Sequence, residues 1–155
     1  MKVSQKITPF LSFQNRAEEA AQFYVSLLPN SKILRILKDP NTHAVITVEF
    51  ELAGMRFVAL NSGQSWEFTH AFSISVSCEN QQEIDILWSR LTEQGHEVHC
   101  GWLTDKFGVS WQIVPANIAD MIGDGDPEKS ARVMAALMQM TKIDSAKLQA
   151  AYEGR

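Results

Sequence analysis

CGWLTDKFGVSWQIVP, residues 100–115, reads as two strands joined by a tight turn at Asp105-Lys106-Phe107-Gly108. Glycine at the end of that turn suits a backbone of positive φ. After the turn the residues alternate: Val109, Trp111 and Ile113 point one way, while Ser110, Gln112 and Val114 point the other. One face of this strand wants a core, and the other sets an amide in the middle of a sheet. A buried glutamine on a strand needs partners for both ends of its amide, supplied either by the protein or by a ligand. The functional question of the chain starts at Gln112.

Working outward, the segment before the hairpin carries a helical pattern. From Gln81 to Gln94, Ile84, Leu87, Trp88 and Leu91 recur at helical spacing, and Gly95 marks the stop. A short strand is expected near Glu97. Upstream, Ala71 to Cys78 alternates Phe72, Ile74 and Val76 with Ser73, Ser75 and Ser77, which predicts a strand with one apolar and one hydroxyl-lined face. The second half is therefore β-α-β-β-β. The first half repeats that order. Ile7 to Phe13 reads as a strand, and Asn15 as the N-cap of a helix from Arg16 to Leu28, with Glu18 completing a capping box. Strands are expected next at Ser31 to Lys38, His43 to Leu52 and Met55 to Leu60, separated by Asp39-Pro40-Asn41 and Ala53-Gly54. Residues 63–69 are polar and turn-rich and connect the halves. The repetition is one of pattern, not of sequence identity.

After Pro115 the character changes to helix: a short one from Asn117 to Ile122, one from Asp126-Pro127 to Thr141, and a last from Asp144. Met134, Met138 and Met140 make a methionine stripe that reads as packed core or subunit contact. We therefore expect an α+β fold of two βαβββ modules, with curved mixed sheets around a cleft and C-terminal helices. The expected organisation is a single domain over 1–155, with module one at about 5–62, module two at about 70–116 and the helical extension at about 117–155.

With 155 residues, 45% hydrophobic and 21% charged, the composition is that of a globular chain. A formal net charge of −4 argues against nucleic acid, whose backbone calls for clustered Lys and Arg. No apolar run approaches the length of a membrane span, so no membrane partner is expected. The N-terminal MKVSQKITPFLSF lacks a leader's apolar core and cleavage site, and a cytoplasmic location is expected. Cys78 and Cys100 are expected as buried, reduced thiols.

ITPFLSF, AEEAAQFY, LLPNSKI, FVALNSG, the hairpin CGWLTDKFGVSWQIVP and the trailing ARVMAALMQM and KID together resemble the vicinal oxygen chelate superfamily. That superfamily includes glyoxalase I, extradiol dioxygenases and bleomycin-resistance proteins. Within it, the chain is similar to the PhnB-like group labelled 3-demethylubiquinone 3-methyltransferase domain. The resemblance implies paired βαβββ modules, a cleft enclosed by each curved sheet, and a homodimer. Metal-dependent members hold a divalent ion with His and Glu from four strands. Those positions fall here on Thr8 or Pro9, within Val58 to Leu60, within Ala71 to Ser73, and on Gln112. A neutral amide is a poor ligand for Zn²⁺ or Ni²⁺ and the other positions are no ligands, so no metal is expected. His70 stands one residue from the third position, and one His with one Gln falls short of a stable divalent site. His43, His96 and His99 read as solvated. His99 and Cys100, as strand neighbours, would point to opposite faces and could not chelate together. A methyltransferase needs a glycine-rich turn after its first parallel strand, and the one Gly-x-Gly here, Gly123 to Gly125, falls between C-terminal helices. No S-adenosylmethionine site, and no other cofactor, is expected.

Three functions compete. The first is a metal-free protein that binds a small organic ligand with Gln112, Ser110, Ser73, Ser75, Phe10 and Ser12, and with Trp102 and Asn61 near the rim. The second is a metal-dependent lyase, isomerase or dioxygenase-type enzyme. No Ser-His-Asp or Cys-His arrangement is legible, and Glu49, Glu51, Glu79 and Asp105 read as solvated strand ends and turns. The third is a structural dimer without a ligand, against which the polar alternation at Ser73 to Ser77 and Gln112 speaks.

Overall fold

A computed structural model describes residues 1–155 and divides them into two compact units, 1–67 and 68–155. The division falls in the polar connection expected at 63–69.

The first unit runs β1 (Phe10–Phe13), α1 (Ala17–Val25), β2 (Lys32–Lys38), β3 (Val45–Leu52) and β4 (Met55–Asn61). Its sheet has the order β1-β4-β3-β2, with β1 parallel to β4 and the other pairs antiparallel. Alternation puts Leu11, Phe13, Val48, Phe50, Phe57 and Ala59 on one face, all of them buried, and α1 packs there with Ala17, Ala20, Ala21 and Tyr24. Phe50 and Phe57 stack at 5.5 Å, and Tyr24 tilts against Phe50 at 6.1 Å. Each such ring contributes about 1.5–3 kcal/mol through burial.

The second unit repeats that plan with β5 (Ser73–Cys78), α2 (Gln81–Thr92), β6 (His96–Glu97), β7 (Trp102–Thr104) and β8 (Ser110–Pro115). The sheet order is β5-β8-β7-β6, again with one parallel pair, β5 with β8. Ile84, Leu87, Trp88 and Leu91 of α2 are buried together with Leu103, Trp111 and Ile113. Three helices complete the unit: α3 (Ile118–Ile122), α4 (Pro127–Leu137) and α5 (Ser145–Glu153). They form a second core from Met121, Val133, Leu137, Ile143 and Leu148. Asp126 caps α4 and Asp144 caps α5. No helix is long and apolar enough to cross a membrane.

Four local expectations are corrected. The first strand begins at Phe10, because Pro9 has no N–H to give and Ile7 is exposed. The N-terminus of α1 is not capped by Asn15: the Asn61 side chain accepts from Ala17 N at 2.9 Å, and Glu18 closes no box. Cys100 lies in a turn with φ +59°, half-buried rather than in a strand, so strand alternation does not govern His99 and Cys100. Helix α4 ends at Leu137, short of Thr141, and leaves Met134 and Met138 exposed.

Candidate functional site

In each sheet one face is covered by the helix of its βαβββ unit; the hydroxyl-lined face of the second sheet is the one turned away from α2, and it meets the C-terminal helices at its Val114 end. The register sets Ser75, Gln112 and Trp102 side by side across β5, β8 and β7, with Ser73, Ser110 and Thr104 as the next row. Gln112 is half-buried and donates from Nε2 to Ser73 Oγ at 2.9 Å. Its Oε1 accepts no bond. Ser110 is 1% exposed and its Oγ lies 2.8 Å from Nδ1 of His70. The His70 ring in turn stands edge-on to Trp102, with centroids 6.4 Å apart and planes at 82°. The structure thus joins Gln112 to Ser73, and Ser110 and Trp102 to His70, on one face. Ser75 is exposed beside Gln112.

The remaining expected site residues belong to the first unit. Phe10 is exposed and Ser12 half-buried on the helix-free face of its sheet. Asn61 is on the other side: paired with Phe13, it spends Oδ1 on the N-terminus of α1 and Nδ2 on Val45 O at 3.1 Å. Its amide is structural, which corrects its reading as a rim residue.

Asp105 forms the turn, as its place in the sequence suggests, but it is 3% exposed rather than solvated, a further correction. Its Oδ1 accepts from Phe107 N and Val109 N at 2.8 and 3.0 Å, and its Oδ2 from Trp111 Nε1 at 2.9 Å. The carboxylate builds the hairpin turn and anchors the core indole, so it is not available to a ligand. The signal for this is the tryptophan six residues on, whose indole needs an acceptor once buried.

The second unit also holds a cavity of about 510 Å³ away from this face, at the C-terminal ends of β5 and β8. Cys78, Asn80, Pro115, Asn117, Met121 and Leu148 contribute to its walls, with Glu79 as its one charged side chain. The Cys78 thiol is pushed up to about 12, by burial first and by the nearby Glu83 carboxylate second. It stays neutral at physiological pH and offers no nucleophile.

The donors do not fit a divalent metal. No group of three or more His, Cys, Asp or Glu side chains is placed to hold a metal ion. On this face His70 has its Nδ1 engaged by Ser110, and His96 stands at the sheet edge opposite Thr104.

Against known proteins, the family model for 3-demethylubiquinone-9 3-methyltransferase matches residues 5–114. A PhnB protein of Bacillus cereus is 37% identical, with 71% of this chain and 99% of that chain covered at a TM-score of 0.67. A Pseudomonas aeruginosa protein, 21% identical over 72% of this chain and 98% of that one, shares the fold at a TM-score of 0.61. So does the fosfomycin resistance protein FosX of Listeria monocytogenes, solved with Mn(II) and dihydroxypropylphosphonic acid. It is 15% identical over 72% of this chain and 92% of that one, at a TM-score of 0.50. No curated protein matches the chain.

Proposed function

The chain belongs to the 3-demethylubiquinone-9 3-methyltransferase family, a PhnB-like group of the vicinal oxygen chelate superfamily, and from that premise we propose that it binds a small organic molecule without a metal. The ligand lies on the hydroxyl-lined face of the second sheet, oriented by Gln112 and bordered by Ser73, Ser75, Ser110 and Trp102. Phe10 and Ser12 give the first sheet a comparable face. The observation that carries this reading is Gln112, a half-buried amide with one end held by Ser73 and the other left open. A purely structural strand amide would have both ends engaged, as Asn61 has.

Methyl transfer forms no part of the reading. The link from β1 to α1 is Gln14-Asn15-Arg16, without a glycine, and Gly123 to Gly125 separates α3 from α4. The metal-dependent lyase, isomerase or dioxygenase alternative lacks its donors at Thr8, Pro9, residues 58–60, residues 71–73 and Gln112. The proposed protein is a cytoplasmic homodimer.

Native mass spectrometry of the purified protein reads subunit count, bound metal and retained organic mass together. The expected result is a metal-free dimer with retained organic mass, which the Gln112→Leu variant loses while its urea midpoint is unchanged or higher. A stoichiometric divalent ion per subunit overturns the reading. So does a Gln112→Leu variant destabilised by about 1–3 kcal/mol with its retained mass intact, because the amide is then structural.

A further inference from the structure

The hydroxyl-lined face of the second sheet is nearly without charge. Every residue that β5, β7 and β8 present there is neutral, from Ser73 to Gln112 and Trp102. The titratable groups near it are few. His96 stands on the edge strand β6, Lys106 is in the β7–β8 turn with its Nζ over the Phe107 ring, and Asp105 is turned inward to Trp111. His70 makes no ion pair. His96 pairs with Thr104 at the edge of this face, whereas His70 is bonded to Ser110 and stands against Trp102, which makes it the titratable group in direct contact with the face's own side chains.

Its geometry is fixed from two sides. The Ser110 hydroxyl, which has almost no solvent access, holds Nδ1 and so orients the ring from within the sheet. Trp102 meets the ring at a right angle. Nε2 is left open. An imidazolium here donates from Nδ1 to Ser110 Oγ and keeps Nε2–H for a ligand, with the Trp102 ring centroid 6.4 Å from its own.

We propose that His70 is the charged anchor of this face and that the ligand it selects is a planar monoanion of the arene-carboxylate class. The carboxylate accepts from Nε2–H of the protonated ring, and the aromatic part lies against Trp102 within reach of Gln112. Ser110 is a positioning residue that holds the imidazole in register. This rests on the ligand-face reading above and adds to it the sign of the ligand and the residue that reads it.

The test uses benzoate and its neutral isostere benzamide as probes, followed through the Trp102 indole resonance by NMR at about pH 5.5 and about pH 8.5. Benzoate is ionised at both, so any change belongs to the protein. A carboxylate held by an imidazolium is released when that charge is lost, so benzoate affinity is expected to fall about tenfold or more across the interval. Benzamide affinity stays level. His70→Gln keeps a polar side chain beside Ser110 but carries no charge, and is expected to bind benzoate weakly at both pH values with no pH dependence. Ser110→Ala is expected to weaken benzoate at both while keeping the slope. Equal binding of the two probes, or the same benzoate pH profile in His70→Gln, overturns the proposal and leaves the ligand face standing. If neither probe moves the Trp102 resonance in the wild type, this proposal falls, while the ligand-face reading stands or falls on the retained mass and the Gln112→Leu variant.

Discussion

Asp105 is a buried carboxylate that binds its own hairpin, accepting from two turn amides and from the Trp111 indole. Asp105→Ala leaves three donors without an acceptor in a site closed to water. The expected cost is about 3–5 kcal/mol in urea unfolding. Asp105→Asn keeps an acceptor for the turn but turns an NH₂ toward the indole N–H, and should cost less, about 1–3 kcal/mol. Equal losses in the two variants would show that the bonds to the turn amides carry nothing and that the indole bond carries the whole cost. The two thiols make a second contrast at this scale. Cys78 is 2% exposed with its ionisation pushed up to about 12, whereas Cys100 is half-buried, with its Sγ 3.8 Å from Met138 Sδ. Ellman's reagent at about pH 8 should titrate Cys100 in the folded protein and Cys78 only after unfolding. The folded Cys78 thiol holds its proton more tightly than the unfolded one, so it costs no stability below about pH 9 and lowers it progressively as pH rises toward 12.

At the scale of the element, α1 shows where local sequence rules are overridden. Asn15 followed by Glu18 has the pattern of a capping box, yet the bond to Ala17 N comes from Asn61, forty-four residues on. Asn61→Ala is therefore expected to cost about 1–2 kcal/mol, while Asn15→Ala costs less than about 0.5 kcal/mol. Thermal unfolding of the two variants ranks them, and the reverse order would return the cap to Asn15. The glycine after α2 is legible as a stop but not for its cause. Gln94, not Gly95, takes the positive φ; a Cβ on Gly95 would lie 2.3 Å from Thr104 O and 3.0 Å from Leu91 O. The residue is small so that β7 can pass. Helix and strand existence is readable because period and alternation are local, as at Ile84-Leu87-Trp88-Leu91 and Ser73 to Ser77. The partner of a side chain is not local. This is why the sequence points to Gln112 as the open amide yet misplaces Asn61, which has the same chemistry, and why His70 enters the site through a bond to a residue forty positions away.

At the scale of the whole chain, one strand order serves twice, β1-β4-β3-β2 and β5-β8-β7-β6. The second copy differs in carrying three more helices. The family model ends at residue 114, and the Bacillus cereus structure is covered almost entirely by 71% of this chain. Residues 117–155 are thus an addition, for which the sequence alone suggests a cover or a dimer contact. Their bonding makes them part of the second unit. Cys100 N and Gly101 N donate to Met140 O and Thr141 O at 2.9 and 2.8 Å, extending the β7 backbone onto the tail. The Gln81 amide grips the tail from α2, donating to Ile143 O at 2.9 Å and accepting from Ser145 N at 2.8 Å. Ile143 is fully buried between these grips, close enough to Gly101 that a Cβ there would lie 2.7 Å from its Cδ1. Ile143→Ala is accordingly expected to cost about 2–5 kcal/mol, the range for emptying a core position. A chain ending at Pro115 loses these bonds and uncovers Cys78 and Val114, so its second unit should unfold at markedly lower urea than that of the full chain. Tryptophan fluorescence reports on it, since Trp88, Trp102 and Trp111 all lie in that unit. A truncated chain with an unchanged fluorescence midpoint would make the tail an appendage, and would move the search for its role from folding to a partner.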